Sequence, residues 1–415
     1  MRLLKILLVV LICLAAAGAA FSAGYATHLV LSEAAGHNGQ PAKRTLIAEP
    51  NQPTTEEALA FKVFWEAWSL VKQNFLGQLP NAHQMTYGAI RGMLAELKDP
   101  HTLFEEPRQR QLEKDEHRGR FGGIGVWIYL READRQFVLT PIENGPAARA
   151  GVRDGDVLLR VDDTVVDATK MTREDVVVLV RGPVGERVRI SVRRAGEADP
   201  RTMEIVREEF QTPSVEWRML DDRAPNVGYL HITLFTERTD AELQQAVAEL
   251  RRRGAARLVL DLRDNPGGLL DSAVAVASEF LSDGTVMYER KRDGSERAYP
   301  VIKGGVALDL PLVVLVNGGS ASASEIVAGA LQDLGRCTVV GERSYGKGSV
   351  QLVFDLSDGS SVHITVARWL TPARREIDGA GIQPNEIVAV AQEDRDKGRD
   401  PQLTAAVARL IAMSK

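Results

Sequence analysis

Residues 312–325 read LVVLVNGGSASASE: five apolar residues, Leu312 to Val316, then Asn317-Gly318-Gly319, then serines at 320, 322 and 324 ahead of Glu325. A short apolar run bounded by glycines reads as a buried strand. Ser322 with Glu325 three positions on matches a capping box, so a helix is expected to follow, over Ser324–Leu334. The same texture occurs upstream, where an expected strand Ala256–Leu262 meets Arg263-Asp264-Asn265-Pro266-Gly267-Gly268 and then a helical run Leu269–Leu281. With strands expected at Val227–Leu234 and Thr338–Val340 and a helix at Asp240–Arg253, the rhythm is that of βαβ units in a layered α/β domain.

The rest of the chain has a different character. Its 415 residues suggest two or three domains at about 150 residues each. Hydrophobic residues make up 44% and charged residues 26%, which fits a globular chain and excludes bulk disorder. The balance of 51 basic against 56 acidic residues leaves a net charge of -5, so no overall cationic field exists to hold nucleic acid. The only cysteines, Cys13 and Cys337, rule out a disulfide framework and a cysteine zinc site. Arg2 and Lys5 precede an uncharged apolar stretch from Ile6 to about Ala26, which reads as a secretory signal or, equally, as an uncleaved signal anchor. Either reading implies export to the periplasm or another extracytoplasmic space, with the inner membrane as the anchor's place.

By composition the chain divides into an export segment (1–26), a polar linker (27–57), a helical region (58–118), a β-rich domain with two helices (119–196), the α/β body (197–391), and a tail (392–415) whose helix packs on the body. Within the fourth segment, Gly123-Ile124-Gly125-Val126, Pro146-Ala147-Ala148-Arg149-Ala150-Gly151-Val152 and Gly155-Asp156-Val157-Leu158-Leu159 resemble a PDZ domain of the bacterial protease-associated type. Backbone N–H groups of such a glycine-containing loop, Gly123 to Val126, can hold a free C-terminal carboxylate while the peptide adds as a strand to a sheet edge.

Three segments of the α/β body place small or reactive residues just after strands, where open α/β sheets carry their sites. The paired glycines 267 and 268 free backbone N–H groups to face a developing oxyanion beside a helix start. Serines 320, 322 and 324 are all nucleophile candidates, and any of them is also an ordinary cap; spacing does not choose among them. The third segment, Gly341 to Gln351, contains Gly346-Lys347-Gly348, which has Gly where a phosphate-binding loop needs Ser or Thr and is followed by β-like residues. As the start of a strand instead, Lys347 and Gln351 are four apart and project from one face. A Ser-His-Asp triad would have to draw on His231 or His363, and no G-x-S-x-G elbow is present.

Taken together, the PDZ-like segment, Asn265-Pro266-Gly267-Gly268, Ser320 to Glu325, Gly346 to Gln351 and Asp99-Pro100-His101-Thr102 resemble the carboxyl-terminal processing peptidases, or tail-specific proteases. The resemblance implies a multidomain α/β fold: an N-terminal helical module, an inserted PDZ domain and a layered α/β peptidase core. It implies Ser322 as nucleophile, Lys347 as base, Gln351 as the supporting amide, and oxyanion donors at Gly267 or Gly268 and at Ala323. It makes Arg181 a candidate sensor at the domain junction, beside the alternative of an ordinary surface charge. The implied partners are proteins with exposed C-termini, an activating adaptor and further copies of the chain, with no metal and no cofactor. Lowering a lysine pKa from about 10.4 to near 7.5 costs roughly 4 kcal/mol, which burial beside a neutral amide such as Gln351 can supply. The contrasting expectations are an inert scaffold that binds chain ends and a PDZ protease of the Ser-His-Asp type.

Overall fold

The computed structural model describes residues 54–413 except 221–223 and 225, all within one compact unit. The expected export segment and residues 27–53 of the linker lie outside the described residues. No helix among the described residues is long and apolar enough to cross a membrane.

The helical module opens with α1 (Thr55–Asn74), where Thr54 and Glu57 satisfy each other's backbone N–H groups. This helix buries no residue, leaving Phe61, Trp65 and Leu70 exposed. Next come α2 (Ala82–Ala95), capped by Asn81, and a short strand β1 (Leu103–Glu105). The helix α3 (Pro107–Arg118) starts on Pro107, whose missing N–H costs nothing there, and stops at Gly119 in the left-handed conformation.

The inserted domain is entered through β2 (Arg120–Gly123). It contains β3 (Val126–Arg131), β4 (Gln136–Pro141), α4 (Pro146–Arg149), β5 (Asp156–Val161), β6 (Thr164–Val165), α5 (Arg173–Val180), β7 (Arg187–Arg193) and β8 (Arg201–Val206), and is left through β9 (Glu208–Gln211). Its antiparallel sheet runs β3-β4-β5-β7-β8, so β3 is an edge strand, and α5 lies beside it. Entry and exit strands pair with each other, Arg120 opposite Gln211, which brings the two ends of the insert together. The sheet continues past position 196, the boundary expected from composition, because β8 pairs along β7 from Arg187–Val206 to Val192–Arg201.

The body comprises β10 (Val215–Met219), β11 (Val227–Ile232), α6 (Thr239–Arg252), β12 (Arg257–Asp261), α7 (Leu270–Ser278), β13 (Thr285–Lys291), β14 (Glu296–Pro300), β15 (Leu312–Val316), α8 (Ala323–Asp333), β16 (Thr338–Gly341), β17 (Ser349–Asp355), β18 (Ser361–Leu370), β19 (Glu386–Ile387), α9 (Gln392–Asp396) and α10 (Pro401–Ala412). The main sheet runs β10-β11-β12-β15-β16-β19 and is parallel apart from the β10–β11 pair. Every residue of β15 is buried: Leu312, Val314 and Val316 join one core with α6, α7 and α8, while Val313 and Leu315 join another with Leu403, Ala406 and Leu410 of α10. Two-sided burial explains the unbroken apolar run at 312–316, since an alternating strand would leave one face bare.

A second, antiparallel sheet is less visible in the sequence. It runs β1-β18-β13-β14, with β17 also on β18. Through β1 it joins the helical module to the body. Asp99 accepts hydrogen bonds from the His101 N–H (3.0 Å) and the Thr102 hydroxyl (2.7 Å), and Thr102 Oγ1 accepts from the Thr365 N–H on β18 (3.1 Å). The Asp99-Pro100-His101-Thr102 motif is thus the clamp between module and body.

Candidate active site

A cavity of about 500 Å³ lies where the β12–α7 loop, the start of α8, the segment leading into β17 and one face of α3 meet; Gly268, Ser322, Ala323, Lys347 and Gln351 all line it. The three serines separate here. Ser320 is fully buried and its hydroxyl donates to the Leu262 carbonyl (2.7 Å). Ser324 is equally buried and donates to the Asn265 carbonyl (3.0 Å). Both hydroxyls are committed to holding the β12–α7 loop against α8. Ser322 alone of the three faces the cavity, with φ +53° and ψ −112°, a region that a non-glycine side chain occupies only under constraint.

That constraint comes from Glu325. Its carboxylate is fully buried and accepts from the Ser322 N–H (2.8 Å), the Ser344 hydroxyl (2.6 Å), the Gly346 N–H (2.6 Å) and the Lys347 N–H (2.9 Å). The Glu325 N–H meanwhile bonds to the Ser322 carbonyl (2.9 Å). The sequence marked Glu325 as a helix cap only, yet the residue also reaches across to the second reactive segment.

Lys347 is half-buried, and that burial pulls its amine below the ordinary lysine value, while the carboxylates Glu113 and Glu325 oppose the shift. Its backbone carbonyl accepts from the Trp369 indole N–H (2.9 Å). No hydrogen bond joins Ser322 to Lys347 among the described residues. Gln351 donates through its amide nitrogen to Ser349 Oγ (2.8 Å) and Thr365 Oγ1 (3.2 Å). Strict alternation does not set the face shared by Lys347 and Gln351, because a register shift between Val350 and Gln351 interrupts the β17–β18 pairing. As a result Ser349, Val350, Gln351 and Val353 all reach the cavity wall. A strand follows Lys347, which removes the phosphate-loop reading.

Gly267 and Gly268 have φ of +113° and +130°, and a Cβ on Gly267 would come within 2.8 Å of Ser322 Cβ. The sequence offered both N–H groups as oxyanion donors, but the Gly267 N–H is spent on Asn265 Oδ1 (2.8 Å). The Gly268 and Ala323 N–H groups donate to no acceptor among the described residues. His231 lies in a different cavity, with Asp261 and Arg263. His363 does line the Ser322 cavity, but its Nε2 is 3.5 Å from both Glu105 and Glu113.

In the inserted domain, Gly123 ends β2, Val126 opens β3, and Ile124 and Gly125 form the connection, whose carbonyls are held by the Ala147 (2.8 Å) and Ile142 (2.9 Å) N–H groups. The Ile124 and Gly125 N–H groups have no acceptor among the described residues. Arg181 is not a free surface charge. Its guanidinium sits 3.8 Å from the Phe121 ring centroid, next to Asp115 and Glu116, and burial pulls its pKa down.

Comparison with known proteins identifies the family. Residues 226–388 match peptidase family S41, residues 137–194 a PDZ domain, and residues 17–106 the activating protease CtpB N-terminal domain. A carboxy-terminal-processing protease of Bartonella bacilliformis is 35% identical over 362 residues, covering 86% of this chain and 81% of the relative. The chain belongs to the carboxyl-terminal-processing proteases. A Synechocystis member of the family is 35% identical over 80% of this chain and 83% of its own length. The solved photosystem II D1 C-terminal processing protease shares 36% identity over 81% of this chain and 94% of that one, with a TM-score of 0.46. The protease is therefore a serine peptidase with a PDZ domain, and an inert scaffold is excluded as its family reading.

Proposed function

We propose that this protease is an exported endopeptidase that captures free protein C-termini on its PDZ domain and cleaves near them with a Ser322–Lys347 dyad. The observation that carries the reading is the sorting of the three serines: two hydroxyls are consumed by backbone carbonyls, and the third shares a cavity with a lysine whose proton is loosened by burial.

In the reaction, neutral Lys347 takes the hydroxyl proton as Ser322 Oγ attacks the scissile carbonyl carbon. The resulting oxyanion is held by the N–H groups of Gly268 and Ala323, the second at the positive end of α8. Collapse breaks the C–N bond, and Lys347 returns the proton to the leaving amine. Lys347 then deprotonates a water that attacks the acyl carbon, and returns that proton to Ser322 Oγ as the ester C–O bond breaks. Gln351 serves as an uncharged partner for Lys347, reaching it after a rotation away from Ser349 and Thr365. The substrate's end would be held by the Gly123–Val126 loop while its backbone adds to the free edge of β3. Arg181, against Phe121 of β2 and beside Asp115 and Glu116 of α3, would report that capture to the α3 wall of the cavity; its contacts with both elements support this role. Export follows from the apolar N-terminal segment.

The test is to compare Ser322→Ala and Lys347→Ala with wild type on an unfolded protein substrate. Each is expected to abolish cleavage while keeping peptide binding; unchanged proteolysis in both overturns the dyad.

A further inference from the structure

One cluster of chemistry-bearing side chains takes no step in this mechanism, although two of its members, Glu113 and His363, line the cavity. Glu105 ends β1, Glu113 lies on α3 and His363 lies in β18; the pairing of Leu103 with His363 brings β1 to β18, and α3 packs on β1. His363 Nε2 is 3.5 Å from Glu105 Oε2 and 3.5 Å from Glu113 Oε2. One donor atom from each of the three residues lies within 4.8 Å of the others. His363 is only 8% exposed, and both its Nε2 and Glu105 Oε2 are buried without a hydrogen-bond partner. Leaving such atoms unsatisfied costs about 1–3 kcal/mol each, so something is expected between them.

The two histidine–carboxylate spacings indicate what that is. A charge-assisted N–H···O bond brings its atoms to about 2.7–2.9 Å, well short of the separation here. A tetrahedral ion with bonds of about 2.0–2.2 Å instead holds neighbouring ligand atoms about 3.3–3.6 Å apart. One imidazole with two carboxylates suits a borderline ion, whereas magnesium and calcium prefer oxygen-only sets. We propose that Glu105, Glu113 and His363 form a binding site for a divalent cation of the zinc class, with its remaining position open to the Ser322 cavity. His117, one helical turn after Glu113, faces the same cavity and is next in line as a donor. Arg110 donates to the same Glu113 Oε2 but also holds Asp355 (2.7 Å), a partner it keeps when the ion takes that oxygen. The ion would pin β1 and α3 to β18, stiffening that wall of the cavity.

The experiment uses the full chain, stripped with a chelator. Zn²⁺ is titrated by calorimetry, and Co²⁺ is followed by its visible absorption. Wild type is expected to bind one equivalent, to give the intense bands of tetrahedral Co²⁺ and to melt at a higher temperature with Zn²⁺ present. Glu105→Gln and Glu113→Gln should each weaken binding at least tenfold, and His231→Gln should leave it intact. Absence of Zn²⁺ binding by wild type, Co²⁺ without tetrahedral bands, or affinity unchanged in both carboxamide variants overturns the proposal. The Co²⁺ spectrum of wild type decides the case even if a variant fails to fold.

Discussion

The backbones of Ser322 and Lys347 are joined through a single atom: the N–H of each donates to Oε2 of Glu325, at 2.8 and 2.9 Å. Residues 25 apart in sequence thus have their relative position fixed by a carboxylate that touches neither reacting side chain. Glu325→Gln presents an NH₂ group to donors that need an acceptor, at a cost of about 1–3 kcal/mol. The expected outcome is a fall in kcat of about 10- to 100-fold, with KM and PDZ peptide affinity nearly unchanged. Steady-state kinetics check it, and a kcat equal to wild type would contradict the positioning role.

Activity should depend on pH through Lys347. Burial favours its neutral form, so the amine loses its proton below the ordinary lysine value of 10.5. In the proposed dyad the neutral amine is the base, so kcat/KM should rise with pH along a limb lying below 10.5 and then level off. A profile flat from mildly acidic to strongly alkaline pH would remove Lys347 as the base.

Gly267→Ala places a methyl group within 2.8 Å of Ser322 Cβ, on a backbone at φ +113°. Gly268→Ala is worse, with its Cβ at 2.2 Å from the Phe235 carbonyl oxygen. Both should lower kcat by about 10²-fold or more, the scale of losing one oxyanion donor. Melting curves should show a larger stability loss for Gly268→Ala, because a backbone atom cannot move aside as a side chain can.

Stability carries a separate pH signature away from the site. Burial, and then the neighbouring Glu279, push the Asp240 carboxyl up to about 6. Between the ordinary 3.8 and that value the folded state holds a proton that the unfolded chain has lost. The stabilisation is therefore present at low pH and is lost as pH rises through about 6. Asp240→Asn keeps the group neutral, so it should gain stability over wild type at pH 8 and match it near pH 4. Denaturant melts at the two pH values test this, and a pH-independent difference would contradict it.

Peptide capture gives a prediction for the inserted domain. If the proposed loop captures chain ends, a peptide ending in a free carboxylate should bind at least tenfold more tightly than its C-terminal amide, since the Ile124 and Gly125 N–H groups would hold the anion. Equal affinities in a fluorescence titration would move recognition away from that loop.

What the sequence determined by itself was whatever local periodicity encodes. The apolar run at 312–316, the glycine turns and the helical repeats placed the βαβ strands and helices within a few residues, and the motif order named the family. The β13–β14 hairpin and the reach of the second sheet escaped it, because half-exposed antiparallel strands depend on partners distant in the chain. Spacing did not choose among the three serines and the resemblance only implied Ser322; tertiary structure gave the physical reason, since the carbonyls of Leu262 and Asn265 consume the other two hydroxyls. It also showed that the Gly267 N–H is spent on Asn265, that a register shift turns Gln351 to the cavity, and that Glu325 does more than cap a helix. Glu105, Glu113 and His363 lie on three separate elements, and no spacing rule could have joined them. Hydrogen bonds and charge contacts act over a few ångströms in space, and the chain's linear order does not record which distant groups will come that close.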